Sequence, residues 1–179
     1  MKRTLAFLIF CLFLLPSIIF AKEQPFGFKH YTIGDDKSYI PPSNFICKDS
    51  KTPIADQICR YNSKETIAGA PVQLLLLYYY SDKLENISIT FKSDHFSKVV
   101  SALSKKYGTG KIKTKAVQNR MGATFENRMH SWSIGNNTLT AKQYSTDLNS
   151  STVYYRVNIS LNEMERRKKS KINPDVDDL

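Results

Sequence analysis

Glycine and proline are scarce in this chain, seven of each among 179 residues. That excludes collagen-like repeats and Gly/Pro-rich low-complexity linkers, and a content of 41% hydrophobic residues excludes a wholly disordered polymer. Histidine is rarer still. His30, His95 and His130 are too far apart in sequence to make a local metal motif, and no Cys-x-x-Cys pair exists to make one with sulfur. No Gly-x-Ser-x-Gly elbow is present, which removes the usual presentation of a serine nucleophile on an α/β-hydrolase sheet. Gly108-Thr109-Gly110-Lys111 has the look of a phosphate loop. It lacks the four-residue spacer and carries Ile112 where a magnesium-binding Ser or Thr belongs. Carboxylates for paired acid–base work are sparse, chiefly Asp35, Asp36, Asp56, Glu65 and Glu126, and Asp35-Asp36 after Gly34 reads as a turn.

Acidic residues are also in deficit: 16 Asp and Glu stand against 26 Lys and Arg, for a formal charge of +10. A nucleic-acid binder is the first thought such a balance suggests. The first 21 residues turn it aside. Lys2 and Arg3 precede an apolar stretch from Leu5 to Phe20, interrupted by Pro16 and Ser17, and Ala21 supplies a small residue before Lys22-Glu23. This is the order of a secretory signal peptide cleaved after Ala21, and the apolar stretch is shorter than the roughly 20 residues a spanning helix needs. Bulky Phe10 before Cys11 argues against a lipid anchor. Residues 1–21 are therefore expected to be removed, leaving an exported, periplasmic or secreted protein with no transmembrane span, meeting little nucleic acid. Cys47 and Cys59, the two cysteines left after cleavage, then form one disulfide that closes a short loop.

Apolar periodicity organises the rest. Residues 22–69 are irregular, with short strands expected around Phe26–Tyr31 and Phe45–Lys48. Gln73–Tyr80 (QLLLLYYY) and Leu84–Lys92 read as a hairpin about Ser81-Asp82-Lys83, its first strand central and covered on both faces, its second with one wet face. Phe96, Val99, Val100, Leu103 and Tyr107 share one side of a helix over 93–107, with Ser93 or Asp94 as cap and Gly108 as the left-handed end. Further strands are expected at Lys111–Val117, at Arg128–Tyr144 as a hairpin about Gly135-Asn136-Asn137, and at Thr152–Leu161. From Asn162 to Leu179 no apolar period exists, so the C-terminus is expected as a frayed helix running into a flexible charged tail. The expected fold is one α+β domain over 22–161: an antiparallel sheet of about five strands with the 93–107 helix on one face.

The stretch DKLENISITFKSDHFSKVVSALSKKYG, followed by Trp132 in the next hairpin, resembles a group of small exported bacterial and phage-borne proteins of unknown function. Those have a strand, a helix beginning near a Phe, a Lys-Tyr-Gly helix end and an antiparallel strand set containing a Trp. The resemblance covers residues 72–161 and implies architecture; the group carries no agreed catalytic residues to transfer.

The positive charge has an address. Residues 92–120 hold eight cations against Asp94 alone, whereas 22–91 hold eight of each sign. Lys98 and Lys105 lie opposite the apolar side of the helix, and Lys111, Lys113 and Lys115 alternate with Ile112, Thr114 and Ala116 along a strand. A solvated helix face and a lysine-guarded edge strand would look the same. The function expected is a non-enzymatic binding protein that contacts an anionic envelope component or an acidic protein through Lys98, Lys105, Lys111, Lys113 and Lys115, with no cofactor and no metal. Two alternatives stay open: an envelope hydrolase built on His30, His130 and acidic residues, and an inhibitory or structural partner that donates a strand or loop.

Overall fold

The structure is a computed structural model, and it describes residues 25–39, 44–61 and 64–172. The expected signal peptide lies outside the described residues. A two-stranded ribbon comes first, β1 (Gly27–Phe28) against β2 (Tyr31–Thr32). The main sheet follows: β3 (Phe45–Asp49), β4 (Gln57–Tyr61), β5 (Thr66–Ile67), β6 (Ala70–Tyr80) and β7 (Lys83–Lys92), then helix α1 (Phe96–Tyr107), then β8 (Lys111–Gln118), β9 (Thr124–Ile134), β10 (Asn137–Lys142) and β11 (Ser150–Val157), and finally helix α2 (Leu161–Ile172). Strand order across the sheet is β3-β4-β6-β7-β11-β10-β9-β8, with β5 beside β6 and every pairing antiparallel.

The expected five-strand α+β sheet with one main helix is thus corrected. Nine strands make one antiparallel sheet, two more make the ribbon, and there are two α-helices among the described residues. The extra width comes partly from β4 and β5, segments too short and too mixed in composition to show a period of two. Cross-strand pairing supplies what local pattern withholds: β4 is held between β3 and β6 by a continuous register from Gln57↔Tyr79 to Arg60↔Leu76. Cys47 lies directly opposite Cys59, and the two form the disulfide expected of them.

Helix α1 covers one sheet face. Its Phe96, Val99, Val100 and Leu103 join Leu75 and Leu77 of β6, Ile87, Ile89 and Phe91 of β7, and Val153 and Tyr155 of β11 in a single buried cluster. Full burial of Ile87, Ile89 and Phe91 contributes about 2 kcal/mol each. The ribbon closes one end of this layer, with the Phe26 ring 5.3 Å from that of Tyr155 and 6.3 Å from that of Tyr107. Only glycine fits at residue 27, where a β-carbon would lie 2.0 Å from the Tyr31 carbonyl oxygen.

Three local expectations change. Neither Ser93 nor Asp94 caps α1; a 3₁₀ turn spans Ser93–His95 and the Ser93 hydroxyl donates instead to the Leu148 carbonyl at 2.8 Å. Strand β6 is fully buried on one face only, since Leu74, Leu76, Tyr78 and Tyr80 are half-buried. The C-terminal segment is helical through residue 172 and docks. Arg167 of α2 is buried, forks onto Glu85 at 2.6 and 2.9 Å, and stacks 3.6 Å over the Tyr80 ring. Hydrophobic periodicity could not reveal this because α2 is anchored by ions. Residues 173–179 of the expected tail lie outside the described residues.

Candidate binding surface

Register assigns each side chain of the sheet to a face. Ile89, Val153, Ala141 and His130 are successive cross-strand partners from β7 to β9, and His130 contacts Phe96, so this row faces α1. Ile112 of β8 pairs with His130 and completes it. The neighbouring row, one residue out of phase, runs Leu74, Thr90, Thr152, Lys142, Met129, Lys113 and therefore belongs to the second face. A 3.5 Å contact between the Thr90 and Thr152 hydroxyls agrees with that assignment.

The five lysines expected to act together are divided by this alternation. Lys111, Lys113 and Lys115 pair with Ser131, Met129 and Asn127 and stand on the second face. Lys98 and Lys105 are exposed on α1, on the far side of the first face; a β-carbon on Gly69 would lie 3.0 Å from Lys98 Nζ. The sheet lies between the two groups. All eight residues of β8 except Val117 are exposed, so its lysines also guard an edge strand against pairing with another chain.

The second face gathers other cations that no sequence window joins. Lys142 is two strands from Lys113 in the same row. Lys92 and Arg156 lie on β7 and β11, and Lys48 and Arg60 lie on β3 and β4 at the other side of the sheet. Within the strands no Asp or Glu occupies a paired position on this face among the described residues; at the end of the β6–β7 hairpin Asp36 bridges Lys83 and forms an ion pair with it at 3.3 Å. Helix α2 packs at one end of this face, where its Met164 and Arg167 line a cavity with Asn86 and Arg156, and it brings Glu163 there; Arg167 engages both Glu163 and Glu85. The carboxylates in the strands lie elsewhere: Asp49 pairs with Gln57, in phase with the cysteines, and Glu126 pairs with Ala116, in phase with Ile112. Between the cations the face carries the partly exposed hydroxyls of Thr90, Thr140 and Ser131, with Ser88 buried among them and Tyr154 40% exposed at its centre. A phase count would have found two of these cations, since Arg60 is one position from buried Cys59 and Lys142 is one and three from buried Ala141 and Leu139; β3 and β8 have no buried residue to count from.

The histidines do not converge. His30 is exposed against Tyr31, ring centroids 4.0 Å apart, while His130 stacks on Trp132 and meets the edge of Phe96. Burial, with Arg128 nearby, holds the His130 imidazole below its ordinary pKa and favours the neutral ring. The cavities of about 670, 450, 400 and 250 Å³ have no histidine among their described lining residues. The 670 Å³ cavity is lined by the disulfide, Phe45, Asp36 and Asp82 among others. Hydrogen bonds from the Ser38 backbone and hydroxyl, then Lys83, hold the Asp36 carboxyl down at about 2, so it stays ionised and engaged. No cluster of three or more His, Cys, Asp or Glu able to hold a metal ion exists among the described residues, and no described helix is long and apolar enough to cross a membrane. Comparison with protein-family models, with curated proteins and with solved structures finds no match.

Proposed function

We propose that this chain is an exported, non-enzymatic binding protein that engages an anionic component of the cell envelope through the second face of its sheet. One observation carries the reading: cations from β3, β4, β7, β8, β10 and β11 share that face, and within the strands no carboxylate is paired on it among the described residues. A segregated array of one sign raises the local potential and draws an opposite charge in a salt-dependent way. Lys111, Lys113 and Lys115 form its densest part; Lys98 and Lys105 belong to a different surface and drop out of the site. Export is supported by the signal-like first 21 residues and by the Cys47–Cys59 disulfide, which persists in oxidising compartments.

The test is co-sedimentation of the purified protein with envelope fragments across a salt series. The triple variant Lys111→Glu, Lys113→Glu, Lys115→Glu is expected to lose association and its salt dependence. Lys98→Glu with Lys105→Glu is expected to retain both. Equal retention by the two variants would remove the second face as the site.

A further inference from the structure

The cations of the second face are spread too widely for a small anion. From β3 to β8 there are seven strand-to-strand steps, which at about 4.8 Å each set Lys48 and Lys113 roughly 34 Å apart. Electrostatic screening at physiological salt acts over about 8 Å, so a single phosphate or carboxylate at one edge gains nothing from the other. A linear polyanion laid across the strands meets the cations of β8, β10, β7 with β11, and β4 with β3 in succession. Each contact then raises the effective concentration for the next.

The surface between those cations says what the polymer is made of. Thr90, Thr140 and Ser131, each partly exposed, present hydroxyls that both donate and accept, suited to a hydroxyl-rich chain. Tyr154 offers a ring against which the apolar side of a sugar can lie while its phenol meets water. A single-stranded nucleic acid calls for stacking rings in succession; this face has one exposed ring, with Tyr78 half-buried beside it. A lipid surface calls for a cluster of protruding apolar side chains, whereas Leu74 and Leu76 here are half-buried between their neighbours and the exposed Ile46 stands on β3 at the sheet edge, beside Arg60.

From this, and resting on the anion-binding reading above, we infer that the ligand is an acidic polysaccharide running across the strands, with Tyr154 as its stacking platform. The experiment measures binding of the full chain to polygalacturonate, hyaluronate and dextran sulfate at low salt, beside digalacturonate, neutral dextran, phosphatidylglycerol vesicles and a single-stranded oligonucleotide. At least one acidic polymer is expected to bind more than 100-fold tighter than digalacturonate, and neutral dextran is expected not to bind. Tyr154→Ala is expected to weaken polymer binding at least fivefold and Tyr154→Phe less than twofold. Lys48→Glu with Arg60→Glu is expected to weaken long polymers while sparing short oligomers. Failure of all three acidic polymers, tighter binding to vesicles or oligonucleotide, or an unchanged Tyr154→Ala overturns the polysaccharide. If vesicles still bind through Lys111, Lys113 and Lys115 in that case, the anion-binding reading survives alone. If the β8 triple variant binds every probe as the parent does, both fall.

Discussion

Replacing Arg167 with Ala tests how a helix with scarcely any apolar face is held to the sheet. The Arg167 side chain is 6% exposed and its partner Glu85 17%. Arg167 donates both terminal nitrogens to Glu85 and its Nε to Glu163 at 2.6 Å, and it stacks on Tyr80. Its removal leaves Glu85 ionised in a largely dry position. Breaking a buried pair in this way costs about 3–5 kcal/mol, and the residual water access of Glu85 sets the expectation near the lower end, about 3 kcal/mol. For a domain of this size that is a fall in Tm of roughly 6–12 °C. An isolated helix of 12 residues is marginal in water, so loss of the anchor also frees α2 to detach before the sheet unfolds. Urea unfolding gives the global figure, and amide hydrogen exchange over residues 164–172 separates detachment from global unfolding. A double-mutant cycle with Glu85→Ala should show coupling of about 2 kcal/mol, because the second mutation relieves the charge stranded by the first. Coupling below about 0.5 kcal/mol, with α2 protection unchanged, would make this an ordinary surface ion pair and refute the anchoring argument.

Docking of α2 should also weaken in acid. Hydrogen bonds from Arg166 and Arg167 hold the Glu163 carboxyl at about 2; for Asp56 burial pushes upward, but the Lys171 hydrogen bond, the Ser81 N–H and the nearby charges outweigh it. Groups lowered on folding stabilise fully above their unfolded pKa of about 4 and lose that effect as pH falls toward 2, so exchange protection of α2 should decline over that interval. Protection at pH 2.5 equal to that at pH 7 would contradict it. Gly110→Ala should perturb the junction of α1 and β8, because the new methyl would lie 2.7 Å from Trp132 Cε2, and Trp132 Nε1 donates to the Gly108 carbonyl at 2.7 Å. About 1–3 kcal/mol of stability and a red shift in emission from this single tryptophan are expected; unchanged stability and emission would show that the ring moves aside freely.

Periodicity made the centre of this fold legible and little else. β6, β7 and α1 announce themselves through Leu75, Leu77, Ile87, Ile89, Val99 and Leu103, because an apolar residue at every second or every third to fourth position records a buried face. The Ser81-Asp82 turn was also visible, although its two left-handed residues, φ 47° and 59°, are neither Gly nor Asn. β4 was not visible: in Gln57–Tyr61 only Cys59 is fully buried, so the strand exists by virtue of its partners on both sides. A C-terminal helix was expected, but the docking of α2 was not legible, for a different reason. Its stabilising contacts are Arg167 with Glu85 and Lys171 with Asp56, pairs 82 and 115 residues apart in the chain, and a run of charges reads as solvated until a distant carboxylate is placed beside it.

The charged surface shows how far a linear window can mislead. Residues 92–120 hold the excess of lysine, yet that window joins a helix on one side of the sheet to a strand whose lysines point to the other. Counting charge along the chain therefore overstated one cluster and missed another. Lys142, with Arg128 and Arg156 each fourteen residues away, or Arg60 amid a balanced stretch, carries no signal in sequence; alternation sets Lys142 and Arg60 on the second face and turns Arg128 to the first. What antiparallel pairing does to hydrophobic residues it does equally to ions. Because β3, β4, β10 and β11 each contribute one cation and β8 three at the same phase, a modest excess summed along the chain becomes a marked segregation when summed across strands, with Arg128 left on the first face. That segregation argues for selection of a charged face over simple solubility, since solubility is served as well by cations on either side.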